Sequence, residues 1–586
     1  MSSPEAASGR PAWLRSPAQR TMETIRASRF WLPCALIALL GVFVIADTYD
    51  VFSATWDEPA HIAGGMELLD NGTYDYEPLH PPFGRMATAL GPRLAGIEHA
   101  GEADIWSEGR NLLYEQGDYW QTLTLARVGV LPFFVLAALM TGLTARRFFG
   151  DAAGVGAVAL FVATPFLLGL SGLAITDMTV TAFYLAAVLA FLRWLETGRH
   201  RDAALLGLAA GLAVMSKYSA IPWLVLTFGA ILLLRWRLGG ESPFRILKVR
   251  RLRLGFDLSL VALVLTLWAA HGFLFANVDV AGRATAKFSG DNAATETGAP
   301  RAWNDESGIP LPLFMKSVSD GIGMVLAHNA EGKETYFLGE WRDKPHPLFF
   351  PVTLGVKLPL PLLVLGLAGL GLTVWHGIRR RQWTALVPAT AFALILALGM
   401  LSNLNYGLRH VLPALPLLCI MAAGGAMIAL SALSAYGRLA QAGAAGLIGA
   451  LFLWQAAGTA RAHPDHLAWF NELAGEKPEE ILVLGDLDWG QDLHRLSAEL
   501  KRLGVARFHL LYIGSGLPQR HGLPPFEPLD PEGGPVSGWV VTHLRASVMF
   551  PEELRWLSEH EPVARAGETY RIYYVSPEGE RAERRE

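Results

Sequence analysis

The sequence TWDEPAHIAGGMELLDNGTYDYEPLHPPFGR occupies residues 55–85, directly after the first long apolar segment of the chain. Adjacent carboxylates at the exit of a membrane span are costly unless they lie in a wet cavity. We therefore interpret this stretch as a loop that carries acid–base chemistry, with the apolar segments as its frame. Its candidate functional residues are Asp57, Glu58, His61, His80 and Arg85.

The composition indicates a membrane protein that crosses the bilayer many times. Of 586 residues, 52% are hydrophobic and 17% are charged, and the mean hydropathy is +0.30. A chain of this length exceeds one soluble domain, and its apolar runs are long enough for a hydrocarbon core of about 30 Å. Cys34 and Cys419 both fall inside apolar runs, so we expect buried free thiols and no disulfide.

Eleven apolar segments are predicted to span the membrane. Segment 203–216 is short for this role, and we expect it to be tilted, broken or paired with the next segment as a hairpin. The predicted spans are 30–46, 127–145, 153–171, 178–195, 203–216, 218–234, 257–275, 349–375, 384–401, 408–430 and 441–459.

The charges of the loops predict the orientation. Alternate loops are rich in arginine, whereas the first long loop, 47–125, is strongly acidic. Because basic loops stay in the cytoplasm, the pattern predicts a multi-pass inner (plasma) membrane protein with a cytoplasmic N-terminus and an extracytoplasmic C-terminus. Residues 1–29 are interpreted as a disordered cytoplasmic lead before an uncleaved anchor. If segment 203–216 did not cross the membrane, the predicted orientation of every later segment would be inverted.

Three regions follow from this reading. A transmembrane domain covers 30–459, with long outer loops at 47–125 and 276–348. Short surface helices are predicted near 64–69 and 104–115, and an amphipathic helix near 313–325. Residues 460–586 are predicted to form a small extracytoplasmic α/β domain. Its predicted strands are 481–484, 508–513, 539–542 and 570–575, and its predicted helices are 491–503 and 551–560.

The first outer loop carries two candidate motifs. Asp57 and Glu58 could supply the base that group transfer to a hydroxyl or an amine requires. The alternative is an acidic helix cap on a solvated loop. In His80-Pro-Pro-Phe-Gly-Arg85, the prolines fix the direction of the flanking side chains, which could bind a phosphate diester. The alternative is a rigid turn.

Charged residues at the outer ends of spans form a second group of candidates. Asp177 is either a helix cap or a second carboxylate that positions substrate. Lys217 either snorkels to the interface or faces a phosphate. The positive-inside rule disfavours Arg409 on this side, so we expect an anionic partner, either a lipid phosphate or an internal acid. Arg127 follows the same logic, and His410 lies beside Arg409.

The tail carries a third candidate site, at the junction between a predicted strand and a predicted helix. Such a junction is a common ligand position in α/β domains, although an aspartate there is also an ordinary helix cap. The residues concerned are Asp486, Asp488, Trp489, Gln491 and Asp492.

No cofactor is predicted for this chain. It contains no phosphate-binding glycine motif, CxxC or HExxH pattern, so nucleotide or nucleic-acid binding and a metal centre lack support. Residues 57, 58, 61 and 80 could hold a divalent metal, but nothing in their spacing demands one.

The order of several short motifs resembles a known family. They are WDE at 56–58, LHPPFGR at 79–85, ARVGVL at 126–131, ITD at 175–177, SKYS at 216–219 and YGLRHVLPALP at 406–416. The order is similar to that in GT-C-fold, polyprenyl-phosphate-sugar-dependent glycosyltransferases, in particular bacterial relatives of protein O-mannosyltransferases and lipid A aminoarabinose transferases. The tail, with WFNELAG and LGDLDWGQDL, resembles the outer domain of bacterial members and departs from the trefoil domain of eukaryotic mannosyltransferases.

The resemblance implies a mechanism. A sugar would pass, with inversion at the anomeric carbon, from a polyprenyl phosphate to a lipid, glycan or protein acceptor. Asp57, beside Glu58, matches the acidic residue that acts as base or acceptor ligand, and Arg85, Lys217 and Arg409 match the cations that meet the phosphate. Two other classes stay open: a lipid or polysaccharide transporter, and a non-catalytic envelope assembly scaffold. The scarcity of mid-span charges and of repeats argues against the transporter.

Overall fold

The computed structural model describes residues 17–278 and 309–576. Part of the predicted lead, residues 1–16, and part of the second outer loop, residues 279–308, lie outside the described residues. The first helix begins at Pro17. The second half of the predicted disordered lead is therefore helical, which corrects that expectation.

The described chain is mainly helical, with three small sheets. The helices are α1 Pro17–Ala46, α2 Glu58–Asn71, α3 Pro82–Leu94, α4 Ile105–Tyr114, α5 Tyr119–Val128, α6 Leu131–Phe149, α7 Asp151–Val162, α8 Pro165–Ser171, α9 Asp177–Thr197, α10 His200–Ser216, α11 Ala220–Gly239, α12 Arg245–Lys248, α13 Arg250–Ala269, α14 Leu313–Glu331, α15 Phe349–Lys357, α16 Leu360–Arg379, α17 Val387–Leu401, α18 Ala414–Leu433, α19 Arg438–Arg461, α20 Leu493–Arg502 and α21 Leu544–Met549. The strands are β1 Phe275–Val278, β2 Ile309–Pro312, β3 Thr335–Phe337, β4 Glu340–Arg342, β5 Phe508–Leu511, β6 Phe526–Pro528, β7 Gly538–His543, β8 Ala564–Ala566 and β9 Tyr570–Val575.

The helices confirm a multispan membrane protein. Within the described residues, nine helices are long and apolar enough to cross a bilayer, or ten if the bent pair α7 and α8 forms one span. Helix α10 has 17 residues, which gives a length of about 25 Å. It nevertheless returns to the level at which α9 begins, because Lys217, just after α10, contacts Asp177 at the start of α9. The total of eleven spans stays a prediction.

Prolines divide two of the predicted spans. Segment 153–171 bends by 67° between α7 and α8, and segment 349–375 is broken between α15 and α16. In both cases the residue before the proline, Thr164 or Leu358, has extended backbone angles. The proline ring disfavours the helical conformation of the preceding residue, which explains both interruptions.

The first outer loop folds into the three helices α2, α3 and α4 before the second span. The predicted helix near 64–69 is present and longer than predicted, as α2 Glu58–Asn71, and the predicted helix near 104–115 is present as α4 Ile105–Tyr114. The paired prolines begin a helix: Pro81 caps α3 in an extended conformation and Pro82 is its first residue. Proline suits that position because its missing N–H would have no partner there.

The tail contains a mixed sheet in the order β6–β5–β7–β9–β8. Strand β5 is parallel to β6 and β7, whereas β9 is antiparallel to β7 and β8. Helix α20 packs on it through Leu493, Leu496 and Leu500. This agrees with the predicted small α/β fold, but the boundary at residue 460 stays a prediction.

Two predicted elements of the tail were wrong. Residues 481–484 form no strand, although Leu482 and Val483 are buried and Leu484 makes an isolated bridge to Asp488, because a short apolar run does not distinguish a strand from another buried segment. The predicted helix 551–560 contains a 3₁₀ turn, Arg555–Glu559. Helix α21 was not predicted.

The tail is bound tightly to the membrane domain. The buried Lys357, at the end of α15, donates hydrogen bonds of 2.7 Å to the carbonyl oxygens of Leu467, Trp469 and Asp486. The side chain of Asn471 donates to the carbonyl oxygens of Gly355 and Leu358. These bonds hold the tail against the break between α15 and α16.

Candidate functional site

Glu58 and Arg127 form a fully buried ion pair. The guanidinium donates from Nε to Oε1 at 2.8 Å and from Nη2 to Oε2 at 3.0 Å. Glu58 also accepts from the backbone N–H groups of Thr55 and Ala174. The other N–H groups of Arg127 donate to carbonyl oxygens of the loop, including those of Phe52 and residue 53. Through these hydrogen bonds, the two side chains connect the first outer loop to α5 and to the segment before α9.

The protonation of Glu58 follows from these contacts. Burial alone would raise the pKa of Glu58, but the charge and hydrogen bonds of Arg127 and two backbone N–H groups outweigh it. The pKa therefore lies below the ordinary 4.5. A carboxylate held ionised in this way, and closed to solvent, is a poor proton acceptor.

Asp57, the neighbour of Glu58, has different surroundings. It stands at the N-cap of α2, but its side chain makes no capping hydrogen bond. Instead Oδ2 accepts from Nη1 of Arg409 at 2.6 Å. The side chains are 22% and 14% exposed, respectively, so a substrate can reach both. The anionic partner expected for Arg409 is thus an internal acid in this structure.

A second cation–carboxylate pair lies in the same region. Lys217 Nζ donates to Oδ1 of Asp177 at 2.7 Å, and Asp177 is the first residue of α9. Arg409 interacts electrostatically with both Asp57 and Asp177. Four charged side chains from different parts of the chain therefore interact electrostatically with one another: Asp57, Asp177, Lys217 and Arg409.

Three histidines line this group of charges. Nδ1 of His61 accepts from Nε of Arg85 at 3.2 Å, and the His61 and His80 rings meet edge to face at 5.1 Å. Burial, followed by the charges of His80 and Arg85, holds the pKa of His61 well below its usual value. Burial and the charge of Lys217 do the same to the pKa of His410. His61 and His410 are therefore neutral near pH 7.

Arg85 is less available than its sequence position suggested. It is buried and pairs with Glu77. It also donates to Tyr74 and to the carbonyl oxygen of Glu77. These contacts favour a role in fixing His61 and His80 over direct contact with a phosphate.

The predicted tail site, residues 486–492, is buried and forms a joint, the contact region between the tail and the membrane domain. Oδ1 of Asp486 accepts from the N–H of Leu408 at 3.0 Å, and Oδ2 of Asp488 accepts from His543 at 2.7 Å. Asp492 accepts from Thr569. The Gln491 side chain binds backbone atoms of the same turn, accepting from the N–H of Trp489 and donating to residue 487.

This joint holds the first outer loop. The N–H groups of Ser53 and Trp56 donate to the carbonyl oxygens of Gln491 and Trp489 at 2.8 and 2.9 Å. The ring of Trp489 also covers Arg409, whose guanidinium carbon lies 4.4 Å from the ring centroid. The LGDLDWGQDL motif thus positions the residues on either side of Asp57 and stacks on the cation that Asp57 binds.

Sequence reasoning missed Glu77, Lys357 and Arg545. Glu77 was one acid among many in the loop, and Lys357 lies inside an apolar segment that was interpreted only as a span. Arg545 lies in the tail, with its guanidinium carbon 4.3 Å from the centroid of the Trp56 ring. No spacing in the sequence links residue 545 to residue 56.

The absence of a metal requirement stays a prediction. Within residues 17–278 and 309–576, no group of three or more histidine, cysteine, aspartate or glutamate side chains is arranged to hold a metal ion. The described site can bind an anion through its cations and can accept a proton at Asp57.

The architecture is that of a GT-C-fold membrane protein, as the resemblance predicted. Residues 124–268 match the family model described as dolichyl-phosphate-mannose-protein mannosyltransferase. The fold matches the S. cerevisiae protein O-mannosyltransferase Pmt1–Pmt2 complex bound to the sugar donor, with a TM-score of 0.54 and 13% identity over 78% of this chain and 92% of that chain. At this level of identity, the match establishes the fold of the chain.

Two weaker structural similarities extend over most of the chain. ArnT from Cupriavidus metallidurans, bound to undecaprenyl phosphate, has a TM-score of 0.45 and 13% identity, covering 93% of this chain and 99% of that chain. The oligosaccharyltransferase AglB from Archaeoglobus fulgidus, in complex with an inhibitory peptide and a dolichol-phosphate, has a TM-score of 0.43 and 12% identity, covering 93% and 74%. No curated protein matches the chain in sequence.

Proposed function

We propose that this protein is an integral-membrane glycosyltransferase that moves a sugar from a polyprenyl-phosphate donor to an acceptor on the outer face of the inner membrane. The observation that carries the proposal is the partly exposed Asp57 carboxylate, held by Arg409 at 2.6 Å beside the Lys217–Asp177 pair. The description of the family model matched by residues 124–268 supports a polyprenyl-phosphate sugar as the donor.

In the proposed reaction, Asp57 accepts the proton of an acceptor hydroxyl or amine as its oxygen or nitrogen attacks the anomeric carbon. The bond from that carbon to the phosphate oxygen breaks, and polyprenyl phosphate leaves with the electron pair. Attack opposite the leaving group inverts the configuration. The cations nearby stabilise the negative charge that develops on the leaving phosphate.

The other predicted site residues receive distinct roles in this proposal. Lys217 and Arg409 face the phosphate, and Asp177 positions Lys217. His61, His80 and His410 lie beside these charges, His61 and His410 as neutral rings, and Arg85 fixes His61 and His80. Glu58 and Arg127 hold the loop that carries Asp57 and take no part in proton transfer. The lipid tail lies between spans, and the tail domain lies outside the membrane.

The first prediction tests Asp57. Asp57→Asn keeps the shape of the side chain but removes the proton acceptor, so we expect kcat to fall by about 10²–10⁴-fold. The measurement is transfer of labelled sugar from a synthetic polyprenyl-phosphate sugar by purified full-length protein, with envelope extract as acceptor. Asp50→Asn, at an exposed acid of the same loop, is the matched control and should leave the rate unchanged.

Two results would contradict the proposal. Undiminished transfer by Asp57→Asn would remove Asp57 from the role of base. Absence of transfer by the wild-type protein, together with lipid or polysaccharide export in vesicles, would identify a transporter instead. Mass spectrometry of envelope glycans from a deletion strain would identify the sugar and the acceptor.

A further inference from the structure

Four cations in and around the candidate site have carboxylate partners. Each pair is held by a direct contact between nitrogen and oxygen, so the positive charge is already balanced before any substrate arrives. The pairs are Arg127–Glu58, Arg409–Asp57, Lys217–Asp177 and Arg85–Glu77.

Within residues 17–278 and 309–576, Arg545 has no such partner. Among the described residues, no carboxylate oxygen lies within 4.0 Å of its guanidinium and its side chain has no hydrogen bond, and Nε is buried. Its strongest favourable charge interactions are with Asp488 and Asp57. A buried N–H donor without a partner costs free energy, which an oxygen of a bound anion would recover.

The position of Arg545 is fixed without a ligand. Its backbone N–H donates to Oδ2 of Asp488 at 2.8 Å, and its guanidinium stacks on Trp56. Trp56 is in turn bound by its N–H to the carbonyl oxygen of Trp489. The tail therefore holds this cation against Trp56, the residue before Asp57 in the chain.

Arg409 presents a matching arrangement. Its guanidinium lies over Trp489, and its Nε is also buried without a hydrogen-bond partner among the described residues. Arg545 of the tail thus stacks on Trp56 of the first outer loop, and Arg409 of the membrane domain stacks on Trp489 of the tail. Stacked guanidinium groups are held rigid and keep their N–H edges free, which suits recognition of phosphate oxygens.

We infer that Arg545 of the tail, together with Arg409, binds the phosphate of the polyprenyl-phosphate sugar donor, so that the tail domain completes the substrate site. The inference rests on the proposed function and assigns a lipid-phosphate ligand to a residue outside the transmembrane domain. The phosphodiester of such a donor carries one negative charge. Among the described residues of the site, Arg545 is the arginine without a carboxylate partner, so its positive charge would balance that negative charge.

The second prediction measures binding without turnover. Purified full-length protein in detergent is titrated with undecaprenyl phosphate, and the Kd is measured by isothermal calorimetry. Arg545→Gln should weaken binding by about ten-fold or more, because it removes charge-assisted hydrogen bonds to phosphate. Arg545→Lys should restore part of the affinity, because it keeps the charge but loses the planar fork.

The controls separate this inference from the proposed function. Arg555→Gln changes an arginine of the tail whose side chain is 81% exposed, and it should bind as wild type does. If wild type binds and Arg545→Gln binds equally well, the inference is wrong and the proposed function stands. If wild type does not bind undecaprenyl phosphate, the lipid-phosphate donor itself is wrong, and the inference falls with it.

Discussion

Two adjacent carboxylates of the first outer loop have opposite surroundings. Glu58 is fully buried and accepts hydrogen bonds at both oxygens, whereas Asp57 is partly exposed and shares Oδ2 with Arg409. Because α2 begins at Glu58, the two side chains leave the backbone in different directions. At the scale of the residue, the WDE motif therefore combines a structural acid with a candidate base.

The third prediction concerns Glu58. Glu58→Gln removes the charge that balances the buried Arg127, and breaking such a pair costs roughly 3–5 kcal/mol. We expect a lower thermal unfolding midpoint, measured by intrinsic fluorescence in detergent. Glu98→Gln, at an exposed position of the same loop, should leave the midpoint unchanged. A variant that unfolds like wild type and yet fails to transfer sugar would instead place Glu58 in the chemistry.

The same pair should give a pH dependence. The pKa of Glu58 in the folded protein lies below its ordinary value of 4.5, so folding favours the ionised form. The stabilisation is fully present above about pH 4.5 and is lost as the pH falls through the lower, folded-state pKa. The midpoint of wild type should therefore approach that of Glu58→Gln as the pH is lowered, and a constant difference between them would contradict this account.

At the scale of the element, the contact between α2 and α3 sets the position of Arg85. Gly65 on α2 lies against the backbone of α3, and a Cβ atom there would overlap the carbonyl group of Arg85 and the side chain of Ala89. A glycine thus permits the close approach that brings Arg85 to His61. The arrangement depends on the absence of one methyl group.

The fourth prediction tests this approach. Gly65→Ala should force α3 away from α2 and destabilise the fold by about 1–3 kcal/mol, with a loss of transfer activity because His61 and His80 move. Thermal unfolding and the transfer rate measure the two effects. The control is Gly323→Ala on α14, where a Cβ atom meets nothing within 4 Å. Wild-type stability and activity in Gly65→Ala would show that the two helices can separate without harm.

At the scale of the whole molecule, the tail and the membrane domain are joined around the loop that carries Asp57. Lys357 binds three carbonyl oxygens of the tail, and the turn at Trp489 binds the loop that carries Asp57. Arg545 then reaches Trp56. The tail is therefore part of the architecture around Asp57.

The fifth prediction tests the attachment of the tail. Lys357→Met keeps the length of the side chain but leaves three buried carbonyl groups without their donor, at a cost of at least about 2 kcal/mol. Backbone amides of residues 460–492 should exchange hydrogen faster, as measured by mass spectrometry. Lys344→Met, at an exposed lysine, should exchange as wild type does. Unchanged protection in Lys357→Met would mean that other contacts carry the attachment.

The sequence predicted features that depend on local pattern. Apolar segments long enough to span a bilayer specified the helical membrane domain, and the alternating strands of the tail specified most of its sheet. The carboxylates and cations of the site were recognised because charged residues at span ends are rare. The breaks at Pro165 and Pro359 were also readable in principle, since proline restricts the residue before it.

The pairing of those charges was decided by the tertiary structure. The partners Asp57 and Arg409 are 352 residues apart, and Glu58 and Arg127 are 69 apart, so no local pattern states which acid meets which cation. The same holds for Arg545 and Trp56. The sequence by itself determined which groups can carry charge near the membrane surface, whereas the packing of distant helices determined which acid meets which cation. Electrostatic partnership depends on distance in space, and a chain fixes that distance only when it folds.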